Sequence, residues 1–229
     1  MHSKVKEERW RGQPLPRGRH KLTSDTVRTS QRERLERAII EVVAERGFEA
    51  ATVPMVVATA RVSSNAFYEF FADKADCFLS ACDVVARDLL AQMLAHAAES
   101  NWILALGRGT AAYLRWWQER PAFARAYLLS LQTAGERALE QRERTYELFR
   151  AMFADLGRRA RAEQPGLPPL SPLVPRVLVV AITELVAEEV RAGRIGRLEQ
   201  MEAELSQLAI RLLADDATAA RALTGDAGS

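Results

Sequence analysis

Apolar residues recur at steps of three and four over most of this chain, which predicts helices nearly throughout. Leu35, Ala38, Ile39, Val42 and Val43 keep that period, and Gly47 ends the element. Ser30 with Glu33 three residues on reads as a capping box at its start, and a start nearer Ser24 fits the same stripe. Thr52 is placed to cap a second helix, with Pro54 close to its beginning and Val53, Val56, Val57 and Ala60 facing inward. After a tight turn Ser63 caps a third, in which Phe67, Phe70 and Phe71 recur at helical spacing and Ser64, Asn65, Ala66 and Tyr68 lie nearer the surface. A fourth helix begins near Lys74 and runs through Phe78, Leu79, Cys82, Val85, Leu89 and Met93.

Further helices are expected over about 101–118, 121–132, 136–161, 173–192 and 197–213. Pro121 suits a first helical position and Gly135 a break. The stretch 163–175 carries five prolines and is read as a loop. Val177 to Ile182 has the composition of a strand. Its apolar spacing continues through Leu185, Val186 and Val190 with no hairpin partner, so helix is the better reading. The fold class is all-α. Leu198, Met201, Leu205, Leu208 and Leu212 step by 3, 4, 3, 4, the spacing of a coiled-coil seam.

Two features change this picture. Residues 1–23 hold Gly12, Pro14, Pro16 and Gly18 among many charges and no apolar period, so they read as a flexible arm. Up to Arg34 there are ten Lys/Arg against four Asp/Glu, although the whole chain carries only +2. A basic head on a mildly acidic body suits contact with a polyanion at one end.

Thr52-Val53, Ala60, Val62-Ser63, Phe67-Tyr68, Phe71 and Lys74 together resemble the helix-turn-helix of the TetR family of transcriptional repressors. The likeness extends from Gln31 to about Asp83, a quarter of the chain. It implies an arm over 1–23, a three-helix DNA-binding domain over 24–75, a helical effector-binding and dimerisation domain over 76–214, and a tail over 215–229. The arm piece Leu15 to His20 resembles those of actinobacterial members.

The resemblance also implies double-stranded DNA as partner, read as a palindrome by a homodimer. Candidate DNA contacts are Thr52, Ser63, Ser64, Asn65, Tyr68 and Lys74, with Arg17 and Arg19 of the arm entering a minor groove. Tyr68 and Lys74 are expected on phosphates, and Ser64 and Asn65 nearest the bases. The dimer would be built from the two C-terminal helices of each subunit, including the 198–212 seam.

Three positions depart from the family pattern. The usual turn glycine is Arg61, an early glycine of the recognition helix is Asn65, and a threonine is Ala66. Arg61 in a left-handed conformation carries a steric cost, which predicts a somewhat altered turn. Ser64-Asn65-Ala66 also offers no cation for bidentate reading of guanine.

Aromatic residues crowd the middle of the body. The family keeps an effector cavity there, so Trp102, Tyr113, Trp116, Trp117, Phe123, Tyr127, Phe149, Met152 and Phe153 are candidate lining residues. Trp116 and Trp117 are adjacent and face about 100° apart, so at most one lines it. Few polar residues interrupt the set, which points to a small hydrophobic or aromatic effector; His96 and Glu184 are candidate polar contacts.

With three histidines, no phosphate loop and no metal-spaced cluster, the sequence gives no reason to expect an enzyme, a metal or a cofactor. Cys77 and Cys82 are five apart on one predicted helix and read as reduced core thiols. No run approaches the roughly 20 apolar residues of a membrane span, and a cytoplasmic protein is expected. The competing reading is a helical interaction protein of this fold that no longer binds a specific operator.

Overall fold

The computed structural model describes residues 24–96, 99 and 101–214, and among them all regular structure is helical. Arg17, Arg19 and the expected tail lie outside the described residues.

Helix α1 (Ser24–Arg46) starts at Ser24, so the Ser30–Glu33 pair sits inside it and caps nothing. Tertiary contact favours the longer helix: Arg28 lies 3.5 Å from Glu69 and its guanidinium 5.2 Å from the ring centre of Phe70. α2 (Val53–Ala60) is capped by Thr52, and α3 (Ser64–Tyr68) by Ser63, whose hydroxyl accepts from Ala66 N–H at 3.1 Å. α4 (Lys74–Leu94) is capped by Asp73, whose carboxylate accepts from Asp76 N–H at 2.7 Å.

The body follows as α5 (Trp102–Gln118), α6 (Pro121–Ala124), α7 (Glu136–Glu163), α8 (Leu173–Arg191) and α9 (Glu202–Ala214). The single helix expected over 121–132 is composite. α6 passes into a π-helical stretch at Arg125–Ser130 and a 3-10 turn at Leu131–Thr133. Gly135 then breaks the chain at φ 92°, a backbone region in which a side chain is strained.

One contiguous buried cluster runs from Leu35 through Phe78, Val85 and Trp117 to Leu213. α4 carries it: Phe78, Cys82, Val85, Leu89 and Met93 are buried along its length, so head and body share a core. Both cysteines are buried and free. Burial pushes both thiols well above the usual range, which leaves them inert as nucleophiles.

The expected 198–212 seam is not one stripe. Residues Ile195–Met201 form a 3-10 helix and α9 begins only at Glu202. Three residues per turn give way there to 3.6, which rotates the two halves of the pattern against each other. Leu198 and Leu205 are buried inside the subunit, Leu208 is 39 % exposed, and Met201 and Leu212 are half-buried. The buried row of α9 is Leu205, Ala209 and Leu213, stepping by four.

Candidate nucleic-acid interface and ligand cavity

The head is built so that two helix ends are closed by cations from neighbouring helices. Lys74 Nζ donates to Phe48 O at 2.8 Å, Glu49 O at 3.0 Å and Ala51 O at 2.8 Å, and lies 4.6 Å from the Phe48 ring centre. An ammonium has three protons, and all three are directed at carbonyls that follow α1. Lys74 thus ties α4 to the end of α1, rather than projecting a free charge toward phosphate as expected. Arg34 does the same for α2, donating through Nη2 to the carbonyls of Ala60 and, at 2.7 Å, Arg61. A third tie crosses from α1 to α4. The buried Glu36 carboxylate accepts from Ser80 Oγ at 2.7 Å and Arg32 Nε at 3.1 Å.

These ties fix α3 across α2. Phe67 and Phe71 are almost fully buried beneath it, and Ala66 is buried too, contrary to its expected surface position. Five residues of helix resting on two inward rings leave the small side chain of Ala66 no outward path. Ser64 and Asn65 are exposed, and Tyr68 is 60 % exposed. Thr52 and Ser63 are exposed, but their hydroxyls serve as caps. The turn keeps the left-handed geometry despite Arg61, at φ 54° and ψ 50°. Its expected distortion does not occur, because Arg34 and the helix-end hydrogen bonds hold it.

Within the body, α4, α5, α7, α8 and the π-helical stretch surround a narrow apolar cavity of about 40 Å³. Of the candidate residues, Tyr113, Trp117, Tyr127, Phe149 and Phe153 line it, and Tyr146 joins them. Trp116 faces elsewhere: its indole N–H donates to Asp88 at 2.7 Å and Arg120 stacks on its ring at 4.6 Å. Phe123 packs toward Trp116 at 6.2 Å, and Trp102 is fully buried away from the space. Met152 lines a second cleft of about 160 Å³ that shares Met93, Thr110 and Phe153 with the first and has Asp155 and Arg159 in its lining. His96 pairs with Glu99 at 3.7 Å, and Glu184 is exposed against Arg191 at 3.1 Å, so neither contributes.

Among the described residues the first cavity has no charged side chain in its lining; its polar groups belong to Thr110, Thr145, Thr183 and the aromatic residues. Burial pushes the Tyr113 and Tyr127 hydroxyls well above the usual range, so both stay neutral. The Tyr146 hydroxyl is occupied by Arg142, whose Nε and Nη2 donate to it at 3.0 and 2.8 Å. The Trp117 indole N–H lies beside the Tyr113 hydroxyl without the alignment of a hydrogen bond, and finds no other acceptor among the described residues. A buried donor left open in an apolar wall is a point where a ligand acceptor gains a full hydrogen bond.

Two routes join this cavity to the head. The π-helical stretch supplies Tyr127 and Leu128 to the lining and packs its other side on α1. α7 supplies Thr145 through Phe153, and near its start Gln141 Nε2 donates to Leu79 O of α4 at 2.8 Å. Arg137 adds ion pairs to Asp76 at 3.3 Å and Asp73 at 3.7 Å. Sequence periodicity had no way to reveal the π stretch, whose signal is only a helical run.

Among the described residues no group of His, Cys, Asp and Glu is arranged for a metal, and no helix is long and apolar enough to cross a membrane.

Residues 37–81 match the sequence profile described as bacterial regulatory proteins, tetR family. No curated protein matches the chain significantly. Among solved structures, the regulator FadR from Bacillus subtilis, in complex with stearoyl-CoA, aligns with TM-score 0.71 at 15% identity. That alignment covers 78% of this chain and 97% of that one. A TetR-like regulator from Rhodococcus sp. RHA1 aligns with TM-score 0.65 at 18% identity, over 86% and 97%. PfmR, a TetR-family regulator from Thermus thermophilus, aligns with TM-score 0.60 at 21% identity, over 79% and 95%. The fold of this chain is therefore theirs along nearly their whole length.

Proposed function

Because this chain belongs to the TetR family of transcriptional regulators, we propose that it is a ligand-responsive repressor, which binds a palindromic operator as a homodimer and is released by a small uncharged hydrophobic molecule. The observation that carries the ligand half is the cavity: a narrow apolar space that has, among the described residues, no charged side chain and one indole N–H without a hydrogen bond. Burying an ionised group there, unpaired, costs far more than contacts return, so the effector is neutral where it touches this wall. An aromatic or alicyclic carbonyl compound that parts the lining side chains and widens this space suits it, its oxygen accepting from Trp117 Nε1.

The DNA half is supported by the exposed Ser64, Asn65 and Tyr68 on a helix whose other face is locked into the core. Ser64 and Asn65 are the base-facing candidates and Tyr68 a phosphate ligand. Dimerisation is supported by an apolar stripe left open on α8, where Leu173, Val177 and Val180 are 48–60 % exposed, with Leu185 and α9's Leu208 beside it. Such a stripe wants a partner, and a second copy of itself closes a two-fold assembly that matches a palindrome. Arg17 and Arg19 of the arm are proposed to add phosphate and minor-groove contacts.

The switch follows from the two routes described above. A ligand that spreads the chamber moves the π stretch against α1 and α7 against α4, and so changes the separation of the two heads. Coupling of about 1–3 kcal/mol, a 5- to 150-fold loss of DNA affinity, is the usual size.

A second reading of the effector is favoured by Met93, Thr110 and Phe153, which line both cavities and stand between them. A ligand that parts these three side chains would join the two spaces into one path, apolar inside and charged at the Asp155–Arg159 end, which suits an extended acyl chain with its polar head outside. Titration with neutral aromatic ketones and with stearoyl-CoA, followed by tryptophan fluorescence and DNA release, separates the two. Trp117→Phe should weaken the ketones about fivefold to tenfold and leave DNA binding unchanged. Failure of both ligand classes to bind would reject the ligand switch and leave the DNA reading standing.

A further inference from the structure

Arg61 is the one residue other than glycine with a left-handed backbone among the described residues, at φ 54° and ψ 50°. It sits in the turn that delivers α3, and its side chain is exposed with no hydrogen-bond or ion-pair partner among the described residues. Glycine adopts that conformation without the steric cost a β-carbon brings. Nothing in the fold needs the arginine side chain. The turn is closed by backbone alone, Arg61 N–H to Ala58 O at 3.2 Å and Val62 N–H to Val57 O at 3.1 Å, with Arg34 on its carbonyls. A strained residue held by its surroundings and aimed at solvent points to a use for the side chain rather than for the fold.

We propose that Arg61 is a DNA contact: its guanidinium grips a backbone phosphate at the edge of the groove that α3 enters. This rests on the reading of the chain as a DNA-binding protein. The exposed side chains at the start of α3 and along it, Ser64, Asn65 and Tyr68, include no cation. Lys74, the cation that follows α3, is consumed by three carbonyls. The first residues of a recognition helix meet base edges, so a side chain three positions earlier stands beside the flanking phosphates. A planar guanidinium suits that task, since it can hold two phosphate oxygens at once. The rigid turn adds to this: Arg34 fixes the Arg61 carbonyl at 2.7 Å, so little backbone freedom is lost on binding.

The test uses the full-length protein and a duplex that the wild type itself enriches from a random library. Arg61→Gly should raise the thermal midpoint by a few degrees, because the left-handed strain is relieved. The same variant should bind the duplex about tenfold more weakly, with the salt slope reduced by about one for each head. Arg61→Lys should retain most of the slope while losing part of the affinity, since a point charge replaces the fork. Arg61→Gly with wild-type affinity and slope would overturn the assignment and leave the DNA-binding reading intact. So would a variant with a lowered thermal midpoint, since the arginine would then be serving the turn. A wild-type protein that enriches no duplex at all would remove both.

Discussion

Replacing Lys74 by Met separates a structural cation from a DNA ligand. Met keeps the apolar stem but deletes the ammonium that donates to Phe48, Glu49 and Ala51 carbonyls at 2.8, 3.0 and 2.8 Å. A hydrogen bond from a charged group is worth about 1.5–3 kcal/mol net when buried. Lys74 is only half-buried, and water can reach part of the vacated site, so three full contributions are too many. The stacking of the ammonium over Phe48 adds about 0.5–1 kcal/mol at a partly exposed site. The net expectation is a loss of about 2–3 kcal/mol, and roughly 5–10 °C in thermal midpoint for a chain of this size. Urea unfolding followed by far-ultraviolet circular dichroism gives the first number. Well below the new midpoint, DNA binding should keep the wild-type salt slope, because no phosphate contact has been removed. Unchanged stability together with a slope reduced by about one per head would refute this reasoning and return Lys74 to the phosphates.

Gly135→Ala should cost about 1–3 kcal/mol, read by the same urea titration, because its φ of 92° and ψ of −177° suit glycine alone. Val180→Glu places a charge on the open α8 stripe, where Val180 is 50 % exposed; light scattering should report subunits in place of dimers, with the helical content retained. Alkaline titration should show the Tyr113 and Tyr127 hydroxyls ionising late. Their folded-state values lie above the unfolded one of about 10, so their contribution to stability is complete below that pH and is lost as pH rises beyond it. Unfolding and tyrosinate absorbance should then appear together.

Much of the architecture was legible in periodicity alone, because each helix buries a stripe at 3.6-residue spacing and short loops with Gly or Pro divide them. What escaped depends on contacts made by distant parts of the chain. The spacing left α1 two starts, Ser30 or Ser24, and the contact of Arg28 with Glu69 and Phe70 just after α3 favours the second. The leucine seam near the C-terminus is broken by a change of helical pitch at Met201–Glu202, which heptad spacing does not record. Aromatic composition marked where the cavity lies, and five of nine candidates line it. Trp116 and Trp117 were separable only once Asp88 was seen to hold the first through its indole N–H. Lys74 illustrates the same limit at the head. A lysine in a DNA-binding motif reads as a phosphate ligand until the carbonyls that surround it are known. Arg61 is the converse, a departure from pattern whose exposure only coordinates reveal.

The central claim is that this fold reads DNA as a two-fold assembly. Selection of the full-length protein on random duplexes, followed by sequencing, tests it with no target chosen in advance. The expected result is a symmetric consensus of two half-sites on one face of the duplex, whose discrimination fades when Asn65 is changed to Ala. Enrichment of no sequence, or equal retention of all duplexes, would contradict it and favour a helical interaction protein that kept the fold without the operator.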